Sequence, residues 1–295
     1  MTILKAQGLT KRYGNHAAVK DFDLHLRERE CIALLGPNGA GKTTTLHMLA
    51  GLIPPTAGVI LSDNKILNRD TIGFLPQHPA FFDWMYPLEY LLLAGTLSGM
   101  TKRTIKERSL QVLEMTGLLE ARKQKIGSFS GGMKQRLGLA QAIMHEPKIL
   151  LLDEPVSALD PAGRIDVMNI LEELKKDKAI LFSTHVLHDA EQICDRALIM
   201  KSGQSVSYEN IKEWRGNQSS ERYRLETSVS LPIEGLQNLY EEIDIREPKL
   251  IVGTLRDKVT PNMLLQQCIR QDIGIRYFGA EEKTLEEHYI EVIEG

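Results

Sequence analysis

Hydrophobic and polar positions fall into two recurring patterns along the first two-thirds of the chain. Residues 2–10 and 17–26 read as strands, with Leu24 and Leu26 alternating with polar neighbours as in a half-buried antiparallel strand. Cys31-Ile32-Ala33-Leu34-Leu35 is a continuous apolar run, suited to a strand buried on both faces. Residues 56–61 and 71–75 suggest further strands. From 87 to about 145 the pattern turns helical. Residues 148–152 form a second buried strand, and 161–176 an amphipathic helix with Pro161 in its first turn. A strand at 179–183, a helix at 187–194 and a strand at 196–200 follow. Strands alternating with helices imply a parallel sheet with covered faces.

The polar, turn-rich stretch 203–220 predicts a boundary, with Gly203, Gly216, Asn217, Gln218, Ser219 and Ser220. Beyond it the rhythm restarts: strand 222–230, helix 233–243, strand 249–255, helix 261–272, strand 275–280, helix 284–293. This gives a domain over 1–215, whose helical part is about 87–145, and a small α+β domain over 216–295.

Composition changes this picture little. With 295 residues, 42% hydrophobic and 25% charged, the chain has the make-up of a soluble globular protein. A net charge of −3 speaks against a protein that holds nucleic acid by bulk electrostatics. No apolar run approaches membrane-span length, and the first residues lack a signal-peptide core. Cys31, Cys194 and Cys268 are odd in number and far apart, which suits a reducing cytosol and no metal site.

Chemistry enters at Gly36-Pro37-Asn38-Gly39-Ala40-Gly41-Lys42-Thr43, a G-x-x-x-x-G-K-[ST] loop between a buried strand and a helix that takes in Thr44. Its glycines let backbone wrap phosphate oxygens, and the helix start adds N–H groups and partial positive charge. Lys42 can reach β- and γ-phosphates, and the Thr43 hydroxyl can ligate Mg²⁺. The apolar strand 149–152 ends in Asp153 and Glu154. At the carboxyl end of a strand in an open α/β sheet, Asp153 is placed to hold Mg²⁺ and Glu154 to polarise an attacking water. Ser130 can cap a helix running through Leu139, and Gly131 and Gly132 let another group approach that helix start closely.

The run Phe129-Ser130-Gly131-Gly132-Met133, lying after the loop and before the acid-ended strand, resembles the signature motif of ATP-binding cassette (ABC) ATPases. Further motifs of that family match in order. Gln77 resembles the glutamine-loop residue, a metal and water ligand. Ser157-Ala158-Leu159-Asp160 resembles the D-loop, His185 the switch histidine at the γ-phosphate, and Tyr13 the aromatic that stacks on adenine. The resemblance covers residues 1 to about 203. Met133 departs from the family's usual glutamine, which puts any polar contact from that position in doubt. It implies a P-loop ATPase core with an antiparallel β subdomain and a helical subdomain. It also implies ATP and Mg²⁺ as ligands, and a head-to-tail homodimer in which each ATP lies between one chain's P-loop and the other's Ser130–Met133 and Asp160.

Such a chain powers a transporter whose permease is a separate membrane protein, and it lies in the cytoplasm on the membrane's inner face. The other function open to the family is a soluble ATPase acting on nucleic acid or the ribosome. Only about fifty residues separate Gln77 from Ser130 and one cassette is present, which favours the transporter. The tail from Thr284 resembles the C-terminal helix of the type-2 drug and antibiotic export group, with Leu285, His288, Tyr289, Val292 and Ile293 on one face. Residues 78–87 crowd Phe81, Phe82, Trp84, Met85 and Tyr86 between prolines, a composition fit for receiving a permease helix. Phe81 or Phe82 is expected to be buried in any case.

Overall fold

The residues at the start of the chain form two long strands, β1 (Thr2–Tyr13) and β2 (His16–Arg27), which pair antiparallel. The apolar run after them is β3 (Cys31–Leu35), buried at every residue, and α1 (Lys42–Leu49) follows it. β4 (Ala57–Ser62) and the short β5 (Lys65–Ile66) join the first pair in a sheet of order β2-β1-β4-β5. β6 (Ile72–Leu75) leads into α2 (Pro87–Leu97), α3 (Lys102–Met115) and α4 (Gly131–Ala142). Next come β7 (Ile149–Asp153), α5 (Pro161–Lys175), β8 (Ala179–Thr184), α6 (Leu187–Ile193), β9 (Arg196–Lys201) and β10 (Gln204–Asn210). Their sheet has the order β10-β9-β3-β8-β7-β6; β10 alone in it runs antiparallel to its neighbour among the described residues.

This computed structural model describes residues 1–63, 65–157, 159–211, 222–228, 236–280 and 285–294. The chain divides into two compact units, residues 1–211 with 289–295, and residues 212–288. In the first, Leu4, Phe22, Leu26, Leu34, Leu46, Leu151, Leu181 and Leu198 share one core between the two sheets and α1. Each such side chain contributes roughly 1.5–3 kcal/mol by leaving water. Helix starts are fixed locally. Ser130 Oγ accepts from Met133 N at 3.2 Å, and Asp160 Oδ1 from Gly163 N at 3.2 Å. Pro161 then sits where an unpaired N–H would otherwise be.

The second unit holds β11 (Arg222–Thr227), β12 (Tyr240–Glu247), β13 (Leu250–Leu255) and β14 (Ile275–Ala280) in the antiparallel order β12-β13-β11-β14. Leu264 and Cys268 of α7 (Pro261–Arg270) pack on Leu225, Tyr240 and Ile251. α8 (Leu285–Glu294) buries Leu285 and half-buries His288, Tyr289, Val292 and Ile293, while Glu286, Ile290 and Glu291 are exposed.

Two expectations need correction. The helix expected over 233–243 is strand from Tyr240 onward, where Ile243 and Ile245 alternate with charged residues; 229–235 lie outside the described residues. The turn-rich stretch from 203 contains β10, whose polar residues suit a strand paired on one side only. Residues 212–220 of that expected boundary, Ala158 and Thr284 are outside the described residues.

Candidate functional site

Strand register brings the candidate residues to one edge of the main sheet. Leu75 pairs with Leu152, Asp153 with Ser183, and Leu35 with Thr184. Gly36, Gln77, Glu154 and His185 therefore all lie just beyond the carboxyl ends of β3, β6, β7 and β8, where ligands of open α/β sheets bind. Asn38 to Thr44, Ala18, Gln77 and Glu154 line a cleft there of about 270 Å³.

The loop between β3 and α1 requires glycine on conformational and steric grounds. Gly36 has φ +152° and Gly41 φ +102°; a Cβ would stand 2.4 Å from Met200 O at the first and 2.5 Å from Ala18 O at the second. Gly41 is also the N-cap of α1, with no side chain to occupy the helix's first amides. Lys42 Nζ donates to Gly36 O at 2.7 Å and Pro37 O at 3.1 Å, which arches it over the loop. Burial pushes its pKa down, opposed by the charges of Glu154 and Asp153. Thr43 is exposed at the first turn of α1.

Asp153 is 1% exposed and Glu154 8%. One hydroxyl organises both: Ser183 Oγ donates to Asp153 Oδ1 at 2.6 Å and accepts from Glu154 N at 2.9 Å. Glu154 holds φ +47°, an uncommon conformation for a non-glycine residue that costs of order 1–3 kcal/mol and is met at functional sites. Ser157 Oγ donates to its carbonyl at 3.1 Å. His185 Nδ1 pairs with Glu154 Oε2 at 3.0 Å, while the imidazole remains 56% exposed. With Glu154 ionised, that nitrogen carries the proton. The donors near the cleft are the Thr43 hydroxyl, the Gln77 amide and the Asp153 carboxylate. These hard oxygens fit Mg²⁺, which takes one or two carboxylates and completes its shell with phosphate and water. Among the described residues no group of three or more His, Cys, Asp and Glu is arranged to hold a metal by itself.

The ABC transporter family model matches residues 19–157. An uncharacterized ABC transporter ATP-binding protein of Bacillus subtilis, YxlF, is 48% identical over 295 residues, covering 99% of each chain. This chain belongs to the ABC transporter ATP-binding proteins. It is 30% identical to the bacitracin transport ATP-binding protein BcrA of Bacillus licheniformis, over 100% of this chain and 98% of that one. Its fold matches a solved dimeric ATP-binding cassette in a post-hydrolysis state bound to ADP and Pi, with TM-score 0.65, 28% identity, and coverage of 71% of this chain and 99% of that one.

The chain is thus an ABC ATPase, and its P-loop, Gln77 and Glu154 meet in one cleft. Ser130, Gly131, Gly132, Met133, Asp160 and Tyr13 do not line that cleft. Ser130 and Gly131 are exposed at the start of α4, Gly132 and Met133 half-exposed. A Cβ on Gly132 would stand 3.0 Å from Leu159 Cδ2, so the start of α4 and the loop before α5 are in contact. Tyr13 ends β1 53% exposed, with Lys11 Nζ 5.3 Å from its ring centroid. Past Gln77, Phe81 is half-buried edge-on against Tyr90 at 4.9 Å, whereas Phe82 and Trp84 are 51% and 68% exposed. Neither Phe81 nor Phe82 is fully buried, contrary to expectation: Met85 and Pro87 fill the interior there.

Ser183, Arg164 and Asp189 were not singled out from sequence. A hydroxyl facing the acid-ended strand across one register pair was the available signal for Ser183; Arg164 and Asp189 read only as polar positions of helices.

Proposed function

We propose that this chain hydrolyses ATP with Mg²⁺ as one half of a head-to-tail homodimer, docked on a separate membrane permease, and that it powers export. The observation that carries the reading is a division of the site. Phosphate loop, glutamine and acid converge on one cleft, with His185 joined to that acid by a 3.0 Å contact, while the capped glycine start of α4 lies outside the cleft on exposed surface. A helix start whose glycines admit a close approach suits a phosphate presented by a second copy.

Lys42 and the amides of Gly36–Thr44 hold the phosphates, and Tyr13 offers a ring face for the base. Thr43, Gln77 and Asp153 are the residues fit to hold the metal, and a bound Mg²⁺ supplies charge that polarises the γ-phosphoryl group. Glu154 takes the proton of the attacking water as general base. His185 is held on Glu154 Oε2 through Nδ1 with its imidazole 56% exposed, and it is the residue offered to the γ-phosphate. From the partner, Ser130 to Met133 and Asp160 complete the site. Residues 1–215 carry nucleotide binding, with 216–295 an accessory domain. Export is supported by kinship with the bacitracin transport protein along nearly its whole length. No helix among the described residues is long and apolar enough to cross a membrane, in keeping with a separate permease at the membrane's inner face. The exposed Phe82 and Trp84 are the surface offered to it.

The test is complementation. Specific ATPase activity should rise with protein concentration. A mixture of Lys42→Ala and Gly132→Asp chains should regain activity that neither has alone, because each heterodimer keeps one intact composite site. Concentration-independent activity in a demonstrably monomeric sample refutes the composite site.

A further inference from the structure

His185 directly follows β8, and its ring meets Glu154 Oε2 at 3.0 Å. α6 begins two residues beyond it, is seven residues long, and its N-cap Val186 supplies no side-chain hydrogen bond. A helix so short and uncapped takes its position from tertiary contacts. One such contact stands out. Arg164 Nε and Nη2 donate to Asp189 Oδ1 at 2.9 and 2.6 Å, tying α5 to the first turn of α6. Asp189 is 1% exposed, and its Oδ2 is buried with no hydrogen-bond partner among the described residues. A carboxylate so buried depends on its cation, and removing one partner of such a pair is strongly destabilising locally.

Arg164 is also placed between two spaces. It lines a cavity of about 110 Å³ together with Glu154, Ser157, Thr184 and His185. On its other side a groove of about 320 Å³ runs between α5 and α6, past Ile165, His188 and Asp189. Its own helix starts at Asp160, and Arg164 N donates to Asp160 O at 2.9 Å. The guanidinium therefore connects the loop that ends at Asp160 with the segment that carries the histidine.

We propose that Arg164 is a positioning residue: clamped on Asp189, it holds α6 in place and so keeps the His185 ring on Glu154, making that contact depend on where the Asp160 end of α5 sits. This rests on the reading of Glu154 and His185 as the hydrolytic pair. A guanidinium suits the task because its rigid fork can place two N–H groups on one carboxylate, whereas Lys offers a single mobile ammonium.

The experiment compares steady-state ATPase kinetics of the full chain carrying Arg164→Met, Arg164→Lys, Asp189→Asn, His185→Ala, Glu154→Gln and the double variant Arg164→Met/His185→Ala, with thermal melts of each. Arg164→Met should lower kcat by about ten- to a hundredfold, the scale of a slightly misplaced group, and leave KM for ATP within about twofold. Arg164→Lys should recover part of the loss. The double variant should be no slower than His185→Ala, because a missing ring cannot be misplaced further. Should Arg164→Met fail to give a cooperative melt, the isosteric Asp189→Asn carries the same kcat-only signature and the same non-additivity with His185→Ala. A kcat for the folded variant within twofold of the unsubstituted chain, or losses that multiply in the double variant, overturns the proposal. Glu154→Gln separates the layers. Near-normal turnover there rejects the underlying hydrolytic reading, whereas its collapse beside an unaffected Arg164→Met rejects the positioning role alone.

Discussion

Ser183→Ala tests how the two acids are organised. Ser183 is 0% exposed, and its hydroxyl makes two bonds, to Asp153 Oδ1 at 2.6 Å and from Glu154 N at 2.9 Å. The first is charge-assisted and worth ~1.5–3 kcal/mol, and the stranded buried N–H costs ~1–3 kcal/mol more, so the central expectation is a loss of about 4 kcal/mol. In a unit of this size each kcal/mol lowers Tm by ~2–4 °C, giving a fall of about 10 °C. Calorimetry of the full chain can assign that fall, because the transition of the nucleotide-binding unit is the one ATP raises. Turnover should drop about tenfold or more as Glu154 loses the tether that supports its strained backbone. Ser183→Thr keeps the hydroxyl and should restore turnover, even where the added methyl group holds Tm down. A Tm change under about 3 °C together with unchanged kcat would refute the reasoning, because a shared tether cannot be lost at the scale of a surface substitution.

Other outcomes follow from the same geometry. Lys42→Ala removes an ammonium whose charge-assisted contact is worth ~1.5–3 kcal/mol, so ATP affinity measured by titration calorimetry should weaken about ten- to a hundredfold. Trp84→Ala removes a 68% exposed ring; folding and ATP binding should persist while co-purification with the permease falls, and unchanged co-purification with intact transport removes this surface from the interface. His145 has its pKa lowered from the ordinary 6.5, chiefly by burial, against the opposing hydrogen bond that its Nε2 donates to Ile72 O. The unfolded chain then binds the proton more readily, so this contribution to stability is whole above pH 6.5 and is lost as pH falls through the folded value. His145→Asn should flatten the acid side of a denaturation-versus-pH profile.

Motifs made of neighbouring residues were legible because their chemistry is local. The loop 36–43, the acids ending an apolar strand and the serine before a glycine pair each declare a strand end or a helix start in a few positions. Their meeting in one cleft was legible only through the rule that parallel strands present ligands at their carboxyl ends. What escaped are contacts that exist only once register is set. Ser183 meets Asp153 across a strand pair, and Arg164 meets Asp189 across two helices, with nothing in either stretch to announce it. In the second unit, Tyr240 to Ile243 reads as the end of a helix over 233–243 because its acids suit a helix face, yet it opens β12. The alternation of Ile243 and Ile245 mattered more once β13 was there to pair with it.

The central claim is that Glu154, held by Ser183 and paired with His185, is the general base of ATP hydrolysis. Glu154→Gln keeps the size and hydrogen bonding of that side chain and removes its charge. Measured on the full chain with saturating ATP and Mg²⁺, turnover should fall by about a hundredfold or more, ATP affinity should persist, and an ATP-stabilised dimer should accumulate on size-exclusion chromatography. Turnover close to that of the unsubstituted chain, in a preparation free of contaminating ATPase, would contradict the account at its base.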